Sequence, residues 1–421
     1  LLRQRAKVMQ NAADILRANV DEYSKLLTLE MGKIFAEAKA ETELSAAIFE
    51  YYAKNAEKLL VPQDLPVASK DEGRAKVIHQ PLGVLLAVEP WNFPVYQVAR
   101  IIAPQLSAGN TVVLKHASNV PQCAAAMDEL MIKAGLPKGA FQNLYPTHDQ
   151  VSRILADHRV RGLALTGSEG AGARLASEAG QALKKCTMEL GGADAFIVLE
   201  DADLEKTVNW AVFGRHWNAG QVCVSSKRLI VVDGVYDEFV KRYREGVSKL
   251  KMGDPMDPAT TLAPLSSQKA ADDLKKQVEG AVAAGAKAEE IPLEMPNQGA
   301  FFRPVILTNL KDDNPAMREE FFGPVTLLFR VKDEAEAIRV ANDSPYGLGG
   351  SVFTKDEARG ERVAEQIETG MVYINHPTMV KADLPFGGVL RSGFGRELID
   401  LGIKEFVNHK LIDVVDIDAP F

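Results

Sequence analysis

The chain has 421 residues, 46% of them apolar, with a formal net charge of -8 and a pI near 5.6. That apolar content is enough for two or three domains, and an acidic chain whose Lys and Arg are scattered offers neither a broad nucleic-acid footprint nor a polybasic membrane patch. Three cysteines, Cys123, Cys186 and Cys223, are too few and the wrong number for a disulfide framework and indicate a reducing compartment, with the cytoplasm as the expected location.

The first residues, LLRQRAKVMQ, carry charge early and lack the apolar core of a signal peptide; because the chain opens on Leu rather than Met, a preceding segment is expected. Residues 1–60 predict helices, with apolar residues at helical spacing through Ala12, Ile15, Leu16, Val20, Tyr23 and Leu27. Pro62, Pro66 and Gly73 break that pattern, and the short runs around Val67 and Arg74–His79 predict an exposed hairpin. The apolar run Leu82 to Val88, interrupted by Gly83, is too short to span a bilayer. From there the text alternates: LGVLLAVEP as strand, VARIIAPQLSAG as helix, NTVVLKH as strand, Ala124–Gly135 as helix, FQNLYP as strand, Val151–Leu155 as helix and VRGLALTGS as strand. This rhythm predicts a parallel sheet with right-handed crossovers.

A second α/β stretch follows, with strands at AFIVLED, KRLIVVDGV, FFRPVILTNL, GPVTLLFRV and GGSVFTK, and helices at 204–213, 235–250, 271–284 and 334–342. The mixed apolar run Lys404 to Val415 is a candidate strand for addition to another subunit. There is no internal repeat and no low-complexity tract.

Four short stretches carry chemistry. Cys223 sits in NAGQVCVSSKR, in a Gly-containing turn with Lys227 and Arg228 close by in sequence, a setting that suits an activated thiol as well as a packed one. Glu189 lies in MELGG between Met188 and Leu190; apolar flanks would raise its pKa toward that of a general base, while a solvated strand or helix end remains the alternative. In PWNFP, residues 90–94, two prolines restrict the backbone around Asn92, fixing an amide that can serve an oxyanion or simply shaping a rigid turn. TGSEGAG, residues 166–172, follows a predicted strand and precedes a helix, a placement where backbone amides can meet a diphosphate.

These stretches, with Lys115 at a strand end, EEFFGP at 319–324 and PFGG...SGFGRE at 385–397, occur in an order that resembles the aldehyde dehydrogenase superfamily over nearly the whole chain, with 34 positions separating Glu189 from Cys223. LKHASN, ALKKCTMELGG, LKMGDP and SGFGREL look most like the bacterial succinate-semialdehyde dehydrogenases. The resemblance implies an aldehyde dehydrogenase-like α/β fold: a Rossmann-type cofactor domain over 1–61 and 81–190, an α/β catalytic domain over 191–391, and a small β oligomerisation arm from 62–80 and 404–421. It implies NAD(P)-dependent oxidation of an aldehyde through a thioester on Cys223. Asn92 and the Cys223 N–H would hold the oxyanion, and Glu189 would activate the hydrolytic water. Succinic semialdehyde is the expected substrate, with another small or sugar-derived aldehyde as the alternative; the expected assembly is a homodimer or homotetramer, without metal.

Site residues carry over the same way. Lys115 resembles the lysine that reaches the adenosine ribose, and Ser118 stands where NAD-preferring relatives often have Glu. Without that carboxylate a 2'-phosphate is not repelled, so NADP is favoured over NAD; a helix-capping role for Ser118 is the alternative. Gly167 and Ser168 match the diphosphate turn, Trp91 and Leu190 the pocket lining, Glu320 the acid that binds the nicotinamide ribose, and Phe322 the ring beside it. Arg100, nine residues after Trp91, resembles the Arg of succinate-semialdehyde enzymes and is expected at the mouth of the aldehyde tunnel, clamping a distal carboxylate; a solvated helix face is the alternative. Departures from the family pattern are Trp217, six before Cys223, where an Arg is frequent and an apolar or ring-stacking wall is expected instead; Ser225, which removes a paired-thiol switch; Val389 and Leu390, where a Lys is frequent; and FQNLYPTHDQV, which lacks the usual glycine.

Overall fold

A computed structural model describes residues 2–67 and 73–419. Three helices open the chain: α1 (Leu2–Ala18), α2 (Val20–Met31) and α3 (Phe35–Leu59). On α1 the buried residues Met9, Ala12, Ala13 and Leu16 recur at helical spacing, so one apolar face packs inward. Gly32 ends α2 in the left-handed region at φ 82, where its lack of a Cβ costs nothing, and its N–H closes on Thr28 O.

Next come β1 (Gln63–Leu65) and β2 (Arg74–Pro81), paired antiparallel; the first strand of the expected hairpin falls at 63–65 rather than around Val67, and residues 68–72 of that stretch lie outside the described residues. The alternation then runs β3 (Val84–Glu89), α4 (Tyr96–Ala108), β4 (Thr111–His116), α5 (Pro121–Lys133), β5 (Phe141–Leu144), α6 (His148–Ala156), β6 (Val160–Thr166), α7 (Glu169–Gln181) and β7 (Lys185–Glu189). Strands β3 to β7 form a parallel sheet in the order β7-β6-β3-β4-β5. Its strand order reverses beside β3, so the loops after β3 and β6 open a crevice at their carboxyl ends.

The second half supplies β8 (Ala195–Val198), α8 (Leu204–His216), β9 (Arg228–Val232), α9 (Asp233–Ser248), α10 (Gln268–Ala283), β10 (Lys287–Glu290), β11 (Val305–Thr308), β12 (Val325–Val331), α11 (Glu334–Asn342), β13 (Tyr346–Gly347), β14 (Gly350–Phe353), α12 (Glu357–Ala364), β15 (Tyr373–Ile374) and β16 (Val389–Leu390). Their main sheet runs β10-β11-β12-β9-β8-β14-β15, parallel except for β10 at one edge. Every residue of β8 and β9 is buried, because helices cover both faces of a parallel sheet and leave no side for alternation.

The chain then returns to its first sheet. Strand β17 (Gly393–Phe394) pairs antiparallel with β7, opposing Gly393 to Glu189, and α13 (Ile399–Lys404) follows. Strand β18 (Val407–Val414) closes the structure. All eight of its residues pair with β2 of the same chain, to which the preceding α13 delivers it antiparallel, and it forms one edge of that sheet. Strand β1 takes the other side of β2, making a three-stranded arm.

Candidate active site

The PWNFP turn is built from behind by buried charge. Lys33 and Glu41, each about 1% exposed, form an ion pair beneath it. The Lys33 ammonium donates to the Asn92 carbonyl at 2.8 Å and lies 3.6 Å from the centre of the Phe93 ring. Glu41 Oε1 accepts from the Val95 and Tyr96 amides at 2.9 and 3.0 Å, satisfying the open N–H groups at the start of α4. His116 contacts the Pro94 carbonyl through Nε2 at 2.8 Å, while its Nδ1 accepts from Ala117 N. Burial holds this imidazole down to about 4, so it is neutral and its Nε2 carries the proton that Pro94 O accepts.

So fixed, the Asn92 amide points its Nδ2 at Gln221 O, 3.2 Å away, two residues before Cys223. Gln97 abuts the other end of that amide, its Nε2 3.1 Å from Asn92 Oδ1; the reverse orientation would instead direct its nitrogen to Pro90 O and Phe93 O.

Cys223 follows a strained turn. Asn218 (φ 48), Ala219 (φ 55) and Gly220 (φ 74) are all left-handed, a conformation that costs non-glycine residues roughly 1 kcal/mol or more each. Three contacts hold it. The Glu37 carboxylate accepts from Asn218 N at 3.1 and 3.2 Å. Asn218 Nδ2 donates to Asn92 O and Gln221 O. Fully buried Arg215 donates to Gly220 O, Ser225 Oγ, Val325 O, Phe321 O and Gly323 O, joining the cysteine turn to the EEFFGP loop. At Gly220 a Cβ would stand 2.5 Å from Gly323 O, so the turn needs glycine for space as well as for φ.

Burial pushes the Cys223 thiol up to about 12, against the pull of Lys227 and Arg100. Among the described residues nothing accepts from the Cys223 N–H. Cys223 opens on a cavity of about 520 Å³ whose wall is mostly apolar, with Phe93, Trp210, Phe213, Trp217 and Phe386 among its rings. Trp217 stacks on Phe213 at 5.8 Å and tilts against Phe93 at 5.5 Å, the ring-stacking wall expected of it.

Arg100 also lines this cavity, and it does not lie on the solvated helix face that was its alternative placement. It is 1% exposed, because every residue of α4 is buried between the opening helices and the first sheet. Its guanidinium donates to Tyr96 Oη at 2.9 Å and Thr166 Oγ1 at 2.8 Å, pairs with Glu397 at 3.3 Å, and lies near the Tyr96 and Phe386 rings.

Glu189 ends β7, 2% exposed, and among the described residues neither carboxylate oxygen has a hydrogen-bond partner. Burial raises its pKa well above the carboxylate range, Arg100 opposing. A buried carboxyl with no protein partner is suited to hold and deprotonate a water. The backbone beyond it meets the cysteine: a Cβ on Gly192 would lie 2.5 Å from Cys223 O. Glu189 O also accepts from Gly167 N at 3.0 Å, tying the TGS turn to the same strand end.

The turn after β6 and the loop after β4 hold the expected cofactor residues. Ser168 caps α7, its Oγ accepting from Ala171 N, and Leu190 packs where a Cβ on Gly172 would collide. Lys115, next to last in β4, is half-buried, and burial holds its amine below the usual lysine range, with no opposing carboxylate among the described residues. Ser118 is exposed and caps nothing, since the N-cap of α5 is Val120. Across the crevice, Trp91 and Phe322 meet edge to face at 5.8 Å, and Glu320 accepts from Gly192 N at 3.0 Å. An open helix N-terminus, an uncommitted lysine and a carboxylate against the Gly191–Gly192 backbone fit the diphosphate, phosphorylated ribose and second ribose of a dinucleotide. Among the described residues no group of three or more His, Cys, Asp or Glu side chains could hold a metal ion.

The aldehyde dehydrogenase family profile matches residues 1–412. The chain belongs to the aldehyde dehydrogenase family. Among its relatives, a succinate-semialdehyde dehydrogenase [NADP(+)] of Deinococcus radiodurans is 50% identical over 409 residues, 97% of this chain and 85% of the relative. One of the same name from Mycobacterium avium is 46% identical, covering 97% and 87%. The crystal structure of succinic semialdehyde dehydrogenase from Streptococcus pyogenes with NADP+ superposes with a TM-score of 0.96 at 46% identity, covering 99% of this chain and 90% of that one.

In this family member the cavity wall brings together Cys223, Arg100 and Trp217; Asn92 and Glu189 are not among the residues that line it. Sequence reasoning missed Lys33, Glu37 and Glu41, the charges that shape the site from the α2–α3 junction. Their signal was three of the four ionisable residues set among apolar ones in MGKIFAEAKAE, at positions where a solvated helix face was the simpler reading. It also missed Arg215, Asn218 and Glu397.

Proposed function

We propose that the chain oxidises succinic semialdehyde to succinate with NADP+. The observation that carries the substrate is Arg100, a buried guanidinium in the wall of an otherwise mostly apolar cavity that also holds Cys223. The N–H groups it does not direct at Tyr96, Thr166 and Glu397, with the Tyr96 hydroxyl, suit a carboxylate at the far end of a short aldehyde. The exposed Ser118 beside uncommitted Lys115 supports NADP+ over NAD+, and the names of the 50% and 46% identical relatives agree with both readings.

Cys223 as thiolate attacks the aldehyde carbon, forming a C–S bond while the carbonyl electron pair moves to oxygen. The Asn92 amide and the Cys223 N–H receive that oxyanion, whose charge they stabilise by roughly 3 kcal/mol per donor. Lys115, Gly167, Ser168 and Glu320 would hold the dinucleotide, which when bound would supply the acceptor for the hydride on the adduct carbon; as that C–H bond breaks, the oxyanion electron pair re-forms the carbonyl and Cys223 is left carrying a thioester. Glu189 takes a proton from water, whose oxygen attacks the thioester, expelling the Cys223 thiolate and releasing the acid.

The same site admits a second reading, another small or sugar-derived aldehyde, favoured by Trp217 where a second cation would strengthen carboxylate recognition. Steady-state kinetics on an aldehyde panel with each cofactor decides: the highest kcat/KM belongs to succinic semialdehyde with NADP+, and preference for an uncharged aldehyde rejects the substrate. Cys223→Ala abolishes oxidation and keeps cofactor binding. The domain roles assigned from sequence, a cytoplasmic location and a dimer or tetramer joined through the β1-β2-β18 arm belong to this proposal. No described helix is long and apolar enough to cross a membrane, and sedimentation tests the assembly.

A further inference from the structure

Lys227 stands four residues after Cys223 with its side chain about 1% exposed. Its ammonium has three hydrogens and three partners: Val222 O at 2.8 Å, Cys223 O at 2.8 Å and Glu320 Oε1 at 3.0 Å. One buried cation therefore joins the backbone of the nucleophile to the carboxylate that the reading above assigns to the nicotinamide ribose. Glu320 has little other support, accepting only from Gly192 N through the same oxygen, while its second oxygen lies against Gly191.

The two charges act on the thiol in opposite senses. After burial, which dominates, Lys227 favours the thiolate and Glu320 opposes it. While they are paired, the ammonium is largely compensated at the place where a negative sulfur must form. A ribose hydroxyl that donates to Glu320 competes with Lys227 for the same carboxylate. Turned toward the ribose, that carboxylate leaves the ammonium facing the cysteine turn in a poorly solvated site, where an uncompensated charge acts most strongly.

We propose that Lys227 is a cofactor-operated activator of Cys223: binding of the nicotinamide ribose draws Glu320 away, and the released ammonium stabilises the thiolate. The proposal rests on the assignment of Cys223 and Glu320 given above. It adds a positioning residue whose charge, rather than its hydrogen bonds, transmits cofactor occupancy to the nucleophile. Thiolate then accumulates chiefly when the hydride acceptor is already in place.

The test is the pH profile of iodoacetamide alkylation at Cys223, mapped by peptide mass spectrometry, with and without NADP+. In the wild type, NADP+ lowers the midpoint by about one pH unit, roughly tenfold more thiolate at a fixed pH below it. Lys227→Gln keeps donors for the two carbonyls but not the charge, and its midpoint does not move with NADP+. Glu320→Gln shows the lowered midpoint without cofactor. A Lys227→Gln protein that keeps the full cofactor effect overturns the proposal, as does a Glu320→Gln protein whose cofactor-free profile matches the wild type. If Lys227→Gln does not fold, Lys227→Arg, which keeps the charge, must retain the cofactor effect, and its loss there counts equally against the idea. The underlying assignment fails separately: alkylation confined to Cys223 would leave turnover intact, or Glu320→Gln would bind NADP+ as tightly as the wild type in a fluorescence titration.

Discussion

Lys33 holds Asn92 from behind, its buried ammonium donating to that residue's backbone carbonyl while its partner Glu41 caps the helix that begins four residues later. Both charges are out of water, so removing one strands the other. Lys33→Met is expected to lower the unfolding free energy by roughly 3–5 kcal/mol, whereas Lys33→Met with Glu41→Leu loses less than that single change despite altering more. Urea unfolding of the three proteins checks this, and a double variant less stable than Lys33→Met refutes the buried-pair account.

Glu189 has no protein partner for either oxygen, so replacing its charge leaves the first half of the reaction in place. Glu189→Gln is expected to reduce kcat by roughly 10²–10⁴-fold, to keep a rapid burst of reduced cofactor, and to accumulate an acyl adduct on Cys223 visible in the intact mass. A variant that loses the burst along with steady-state turnover would assign Glu189 to thiol activation instead.

Glu37 lines the cavity and binds the strained Asn218 amide, and burial lifts its carboxyl from the ordinary 4.5 to about 7. Below 4.5 it is neutral in the folded and unfolded chain alike. Between 4.5 and about 7 the unfolded chain releases the proton and the folded one keeps it, so this group makes stability fall as pH rises across that window, then level off. The difference in unfolding free energy between Glu37→Gln and wild type should therefore move in favour of the variant from pH 4.5 to 7 and stay constant above; denaturant titrations at five pH values measure it. A difference independent of pH excludes Glu37 as the titrating group.

Ser118 is exposed and caps no helix, so it can be changed without cost to the fold. Ser118→Glu is expected to raise KM for NADP+ at least tenfold, leave NAD+ little changed or improved, and leave Tm within about a degree. Equal effects on both cofactors would remove this position from the 2'-phosphate site.

Arg100 neutralises Glu397 inside the protein as well as facing the cavity. Arg100→Leu is expected to lower Tm, because a buried acid is left unpaired, and also to raise KM for succinic semialdehyde well beyond its effect on an uncharged aldehyde of similar length. A fall in Tm with equal KM changes for the two aldehydes would leave Arg100 a purely structural residue.

Local periodicity made the alternation from β3 to β6 legible, since strand and helix faces there are buried against near neighbours and leave their repeat in the text. Short elements such as β7, β10 and α12 went unread. KCTME and KAEE carry too few apolar residues to announce a strand, and only pairing with neighbouring strands makes them one. The ordered motifs pointed to Cys223, Glu189 and Asn92, because each needs a special backbone that constrains its neighbours. The burial of Arg100 was not legible, because a charge on a helix reads equally well as solvent-facing. What buries it is the return of residues 386–397 onto the first sheet, a contact between positions almost three hundred apart. The Lys33–Glu41 pair was illegible for the same reason: its partner surface, the PWNFP turn, lies elsewhere in the chain.

The hydrogen bond from Gly167 N to Glu189 O has a practical side for anyone who would re-engineer the enzyme. Grafting a foreign loop over 166–172 to change coenzyme choice would tug directly on the strand end that carries the water-activating acid, so redesigned variants would lose acyl turnover before they gained a new redox partner. Edits at the rim, around Lys115 and Ser118, share no peptide contact with that strand end and are the safer place to begin.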